Sequence, residues 1–150
     1  MKRFIAILLL AAAPSACASF HMNTQPGFAE LEGNDDYGYR ATSADGVVVA
    51  VRSERNRPEG NLEFWARAVD ERLRSNGYVP DGDPRPVRSA DGVDGMQYRY
   101  ARDASGRTLR YWTTVFVKGS RLFIVEAGGD REVFDRAVPA VERTIASITF

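Results

Sequence analysis

From Tyr37 onward, apolar and polar residues alternate with two different periods, and each change of period marks a structural element. The stretch "YGYRATSADGVVVAVRS" keeps period two on both sides of Asp45-Gly46, a pair that tolerates positive φ, and so predicts a β-hairpin. After the break "RNRPEG" the period lengthens. In "NLEFWARAVDERLRSNG", Leu62, Trp65, Ala66, Val69 and Leu73 fall at i, i+3, i+4, i+7 and i+11, which puts them on one stripe of an amphipathic helix. Asn61 suits the N-cap and Gly77 the C-terminal stop. Glu63, Asp70 and Glu71 fall on its polar face, and Phe64, off the stripe, either packs on the preceding loop or is exposed for a partner.

"VPDGDPRP" reads as a loop. Three turns follow at near-regular spacing, "SADG" at 89–92, "DASG" at 103–106 and "KGS" at 118–120. Connections this short join antiparallel neighbours, so the strands form a meander. Along the middle strand Leu109, Tyr111, Val115 and Val117 point one way, and Trp112 and Phe116 the other; Leu122 and Ile124 against Phe123 and Val125 repeat the pattern. Strands that are apolar on both faces are covered on both. The closing cover is "DREVFDRAVPAVERTIASI", in which Phe134, Ala137, Val138, Val141, Ile145 and Ile148 hold helical phase behind a capping Asp130. Pro139 predicts a kink or a break there, with a short first segment. The expected class is α+β, an antiparallel β-sheet covered by helices on both faces.

The N-terminus follows neither period. Met1-Lys2-Arg3 is basic, and Phe4 to Ala13 is an unbroken apolar run of about 15 Å as a helix, half the thickness of a bilayer core. That is too short to span and the right size for the apolar region of a secretory signal, which predicts export. Two processing routes remain open. "PSAC" resembles a bacterial lipobox ending at Cys17, although Pro14 stands where that pattern usually has Leu; cleavage after "ACA" (16–18) would instead remove Cys17 with the signal. Lipidation at Cys17 is the favoured reading, since a lone thiol in an oxidising compartment is a liability. The expected organisation is a signal at 1–17, a loosely ordered tether at 18–36, and one domain at 37–150. The expected location is the periplasmic face of a bacterial membrane, the outer one favoured, or the soluble periplasm without the lipid.

Composition narrows the class further. A chain of 150 residues with 44% apolar and 27% charged residues is an ordinary globular domain. Lys2 and Arg3 are the only charges among the first sixteen residues, so the remainder carries 18 basic and 20 acidic side chains, a net −2. That balance argues against a nucleic-acid partner. One cysteine excludes an intrachain disulfide. A monomer is expected, meeting a membrane through its lipid and an unidentified envelope protein through its domain.

Candidate chemistry is sparse. His21 is the sole histidine and sits in the tether, so neither a Ser-His-Asp nor a Cys-His arrangement can be assembled in the domain, and zinc lacks ligands there. Asp81 and Asp83, and Asp91 and Asp94, crowd loops without EF-hand spacing and read as turn formers. "EAGGDRE" is a strand-to-helix turn without a P-loop lysine. Glu126 is the one acid in an otherwise apolar strand, and a partner such as Arg110 is expected for it. No catalytic residue, metal or cofactor is predicted. Trp65, Tyr98, Tyr100, Tyr111 and Trp112 are core packing or, alternatively, line a groove between sheet and helix.

The order strand, strand, helix, four strands (one of them short, near Pro86 to Ser89) and a closing helix, carried by "NLEFWARAVDERLRSNGY", the paired "YWTTVFVKGSRLFIVEA" strands and the ending "VFDRAVPAVERTIASITF", resembles the PsbP-like α/β/α sandwich, over Tyr37 to Phe150. That family includes the extrinsic PsbP proteins of photosystem II, a nuclear-import factor that binds the Ran GTPase, and bacterial DcrB-type lipoproteins. The resemblance implies a non-enzymatic binding or accessory domain and transfers no site residue. The leading expectation is therefore an exported cell-envelope lipoprotein with a non-catalytic binding domain. A carrier or sensor of a small apolar ligand is the alternative, and a carboxylate-based hydrolase a weak third.

Overall fold

The computed structural model of the chain describes residues 20–32 and 37–150. The expected signal and Cys17 lie outside the described residues. Among the described residues, eight strands and two helices follow in the order β1 (Phe28–Glu30), β2 (Tyr39–Ser43), β3 (Val48–Arg55), α1 (Leu62–Ser75), β4 (Val79–Pro80), β5 (Arg85–Arg88), β6 (Asp94–Ala104), β7 (Arg107–Lys118), β8 (Arg121–Asp130) and α2 (Arg131–Ala146). Every strand pairing is antiparallel, in the order β1-β2-β3-β8-β7-β6-β4, with β5 also on β6.

The three long strands are joined by the two tight turns that the sequence marks. At the β6–β7 turn, Ser105 and Gly106 both take positive φ, +51° and +77°, the conformation whose twist suits a two-residue hairpin. Side chains on β8 then separate by parity. Phe123 and Val125 join Trp112, Phe116, Val49, Val51 and, from α2, Phe134, Val141 and Ile145 in the larger cluster. Leu122 and Ile124 join Val115 in a smaller one, against which Leu62, Trp65 and Val69 of α1 pack. The period of two along the strands thus assigns each helix its own set of strand residues.

Both helices carry the caps read from the sequence. The Asn61 carboxamide accepts from the Phe64 N–H at 2.9 Å, and the Asp130 carboxylate accepts from the Glu132 N–H at 3.2 Å.

Three expectations are corrected. First, the segment 18–36 is no loose tether over its described residues 20–32. Met22 is buried in the main cluster, Phe20 stands edge-on to Phe123 with centroids 5.9 Å apart, and β1 pairs with β2. His21 and Thr149 exchange backbone hydrogen bonds of 3.0 and 2.9 Å. Single residues dropped into gaps leave no period to read. Second, α2 continues through Pro139. The proline is on the exposed side, so the carbonyl of Asp135 that loses its partner faces water. Third, "VPDGDPRP" contains β4 and the start of β5; Pro80 is tolerated because β4 is an edge strand with its other side unpaired.

A candidate binding groove beside the first helix

The segment that joins β3 to α1 is pinned by one buried side chain. The Asn56 carboxamide accepts from the Gly60 N–H at 2.9 Å and donates to the Gly60 carbonyl at 3.0 Å, while its backbone N–H reaches the Ser120 carbonyl at 2.8 Å. The Trp65 indole donates to the same Asn56 oxygen at 2.6 Å, which fixes the start of α1 against the end of β3. Phe64 settles between the two sequence readings: its ring lies edge-on to Trp65 at 5.2 Å and over Gly60, yet it remains 50% exposed.

Held there, α1 packs across β6, β7 and the start of β8 and leaves the neighbouring stretch of β3 open. Between them runs a groove of about 830 Å³. Its apolar side is made by Trp65, Ala68 and Val69 of α1 with Leu122 and Ile124 of β8. Arg52 and Glu54 stand opposite Ile124 and Leu122 in register, and Arg55, Arg57, Glu71, Arg72 and Ser75 complete the rim. Four arginines face two glutamates. Among the described residues Arg55, Arg57 and Arg72 make no ion pair, whereas Arg52 reaches Glu54 at 4.0 Å and Glu126 at 3.4 Å. A second, smaller depression of about 420 Å³ lies over Ala50 and Gly128, bordered by Tyr37, Tyr111 and Glu126.

Glu126 does have an arginine, but it is Arg52. Arg110, the expected partner, is one step from Tyr111 on β7 and points to the other face, where it binds Asp135 of α2 at 3.1 Å and also Asp81. Glu126 instead accepts from the Tyr111 hydroxyl. A matching pair lies on the other flank of α1: the Tyr100 hydroxyl donates to Asp70 at 2.6 Å, and the same carboxylate receives Arg74 Nε at 2.9 Å. Asp70 is therefore turned toward the sheet, not out on the polar face of the helix. Burial first, then the adjoining carboxylates, pushes both tyrosine hydroxyls well above their ordinary range.

The five aromatic residues read as one groove are not brought together. Tyr98, Tyr100 and Tyr111 gather with Tyr78 on the α1 side of the sheet, with ring centroids 4.9 to 6.5 Å apart, and fill space among themselves. Trp112 alternates to the opposite face, where it meets Phe134 at 5.1 Å and lies 3.7 Å beneath the Arg99 guanidinium. Only Trp65 lines the groove. The arginines that do so were missed, although "RSERNRP" concentrates three of them around the end of one strand. The loop acids are engaged locally: Asp91 with Ser89 and Lys118, Asp94 with Arg88, Asp81 with Arg110. Among the described residues no three His, Cys, Asp or Glu side chains gather as a metal site.

No family model and no curated protein matches the sequence. Solved structures do. LpqN of Mycobacterium tuberculosis, described as involved in cell envelope biogenesis, superposes with a TM-score of 0.72 at 10% identity, covering 87% of this chain and 82% of LpqN. A Pseudomonas aeruginosa protein of unknown function, PA94, gives 0.59 at 11% identity over 92% and 88%. Cyanobacterial PsbP from Synechocystis sp. PCC 6803 gives 0.53 at 10% identity over 94% and 98%. At these identities the likeness speaks for architecture alone. The order of strands and helices built up from the residues and the similarity to cyanobacterial PsbP agree: the chain has the PsbP-like fold.

Proposed function

We propose that the protein is an exported, lipid-anchored module of the cell envelope that binds without catalysing a reaction, its two helices covering opposite faces of the sheet as in an α/β/α sandwich. The binding surface is the groove between α1 and β3. The observation that carries this reading is the combination found there, an apolar wall bordered by three arginines that have no ion-pair partner among the described residues. Arginines left unpaired beside apolar surface are poised for an incoming anion, because their guanidinium forks match carboxylate and phosphate geometry. The description of LpqN as involved in cell envelope biogenesis supports the envelope assignment. The anchor in this reading is a lipid at Cys17, as the lipobox-like "PSAC" suggests.

Binding through the groove is tested by placing the photoreactive residue benzoylphenylalanine at Ala68 or Ser75, and at Arg136 on the outer side of α2 as a control. Adducts formed in the envelope from the two groove positions and not from the control are expected; equal labelling at all three would remove the groove from the proposal. Anchoring is tested separately by feeding cells a labelled fatty acid. The wild-type protein should take up label and Cys17→Ser should not; equal uptake, or none in either, would show that Cys17 is not acylated.

The alternative of a carrier for a small ligand is favoured by one feature, the groove's size. A volume of about 830 Å³ is within the range of small-molecule sites. Its ligand would be charged as well as apolar.

A further inference from the structure

We infer that the occupant of the groove is a single anionic lipid, an acyl chain ending in a carboxylate or phosphate head. The inference rests on the groove being the binding surface and goes on to name the chemistry that it takes. Two halves of the lining call for two halves of one molecule. Trp65, Ala68 and Val69 of the helix offer half-buried apolar surface above Leu122 and Ile124, which are themselves buried beneath it, and a short hydrocarbon chain laid on the three helix residues contributes through area removed from water. Arg52, Arg55, Arg57 and Arg72 stand around that surface, outnumbering Glu54 and Glu71, and three of the four make no ion pair among the described residues. A purely apolar ligand would leave these cations unused. A purely ionic one would leave the indole and aliphatic wall bare. The groove is open to solvent along one side, so a charged head can keep part of its hydration while its oxygens meet the guanidiniums. That avoids the desolvation penalty a fully enclosed ion would suffer.

The size selects a single molecule. About 830 Å³ falls within the volume range of sites that take one small-molecule or lipid-sized ligand. Asn56 supplies the rigidity such a site needs, because it locks Trp65 to the loop that carries Arg55 and Arg57.

Calorimetry on the purified exported protein with decanoate, decyl phosphate, decanol and acetate tests the assignment. Saturable binding of decanoate or decyl phosphate is expected, about tenfold or more tighter than decanol, with none for acetate. The double variant Arg57→Gln/Arg72→Gln should bind the acid about tenfold more weakly, while the double variant Arg131→Gln/Arg136→Gln, the same charge change on the outer side of α2, should bind as wild type. All four positions are exposed, and circular dichroism confirms that each variant is folded. Decanol binding as tightly as the acids, equal losses in both variants, or no binding of either acid would overturn the inference. If neither acid binds while adducts still form from Ala68 and Ser75, the ligand class is wrong and the groove stands. If the adducts are absent too, both readings fall.

Discussion

Tyr100 is wholly buried, yet its hydroxyl ends on a charged carboxylate, Asp70, which Arg74 holds from the solvent side. A buried phenol hydrogen-bonded to an anion is stable only while it keeps its proton. Tyr100→Phe should cost about 1.5 to 3 kcal/mol in urea unfolding, the range for a hydrogen bond to a charged group. The same environment raises the hydroxyl pKa of Tyr100 and Tyr111 in the folded state. Their contribution is therefore complete below the ordinary tyrosine value of about 10 and is lost as pH rises through and above it. An ultraviolet titration should show these two tyrosines ionising only together with unfolding. Free titration of every tyrosine in the folded protein would contradict the arrangement. Asp91 is the converse case. Ser89 first, then Lys118 and the Phe150 N–H, donate to its carboxylate and hold its pKa well below the usual range. Its stabilising effect is present above the ordinary carboxylate value of about 4 and fades as pH falls below it. Asp91→Asn should flatten the acid limb of the stability curve, measured by thermal unfolding from pH 6 to pH 2; an unchanged slope would show that these hydrogen bonds contribute nothing.

At the level of elements, the longest regular stretches were readable and the shortest were not. The i, i+3, i+4, i+7 stripe in 62–73 located α1, and strict alternation in 109–117 and 122–125 predicted which side chains would join which cluster. Those signals work because burial repeats with the period of the backbone itself. β1 and β4 run for three and two residues, too few for a period to emerge, and they depend on the edges offered by β2 and β6; β5, at four residues, is expected through the resemblance and not through any period. Pro139 shows the reverse limit. A proline within a helix carries a local cost, but packing of Phe134, Val141 and Ile145 on both sides of it outweighs that cost and keeps the helix whole. Pro139→Ala should accordingly raise stability by about 1 to 3 kcal/mol, by restoring an N–H for the Asp135 carbonyl. No gain in the denaturation midpoint would mean that the rigid ring stabilises as much through the unfolded chain as it loses in the helix.

Across the whole molecule, the groove could not be read from any single stretch. Arg52, Arg55 and Arg57 belong to the end of one strand and the loop after it, and Arg72 to the last turn of a helix, where each looks like an ordinary solvated charge. They become a site only because α1 is placed over β6, β7 and β8 and leaves the flank of β3 uncovered, and that placement depends on Asn56 and on strands fifty residues downstream in the chain. The aromatic residues misled for the same reason. Tyr111 and Trp112 are neighbours in sequence and lie on opposite sides of the sheet.

The pairing of His21 with Thr149 also bears on when the protein can fold. Asn23 donates to the Ser147 hydroxyl across 124 positions of sequence, Phe20 leans on Phe123, and the Phe150 ring rests 4.5 Å from the same Phe123. The earliest described residues find their places only after those around 147–150 have been synthesised. Contacts this distant in sequence are slow to form, so the packing of residues 20–23 against 147–150 is expected among the last steps of folding. A fold closed late by contacts between segments more than 120 positions apart stays threadable longer than one built from local contacts, and that is the state a secretion channel would accept if the protein is exported as proposed.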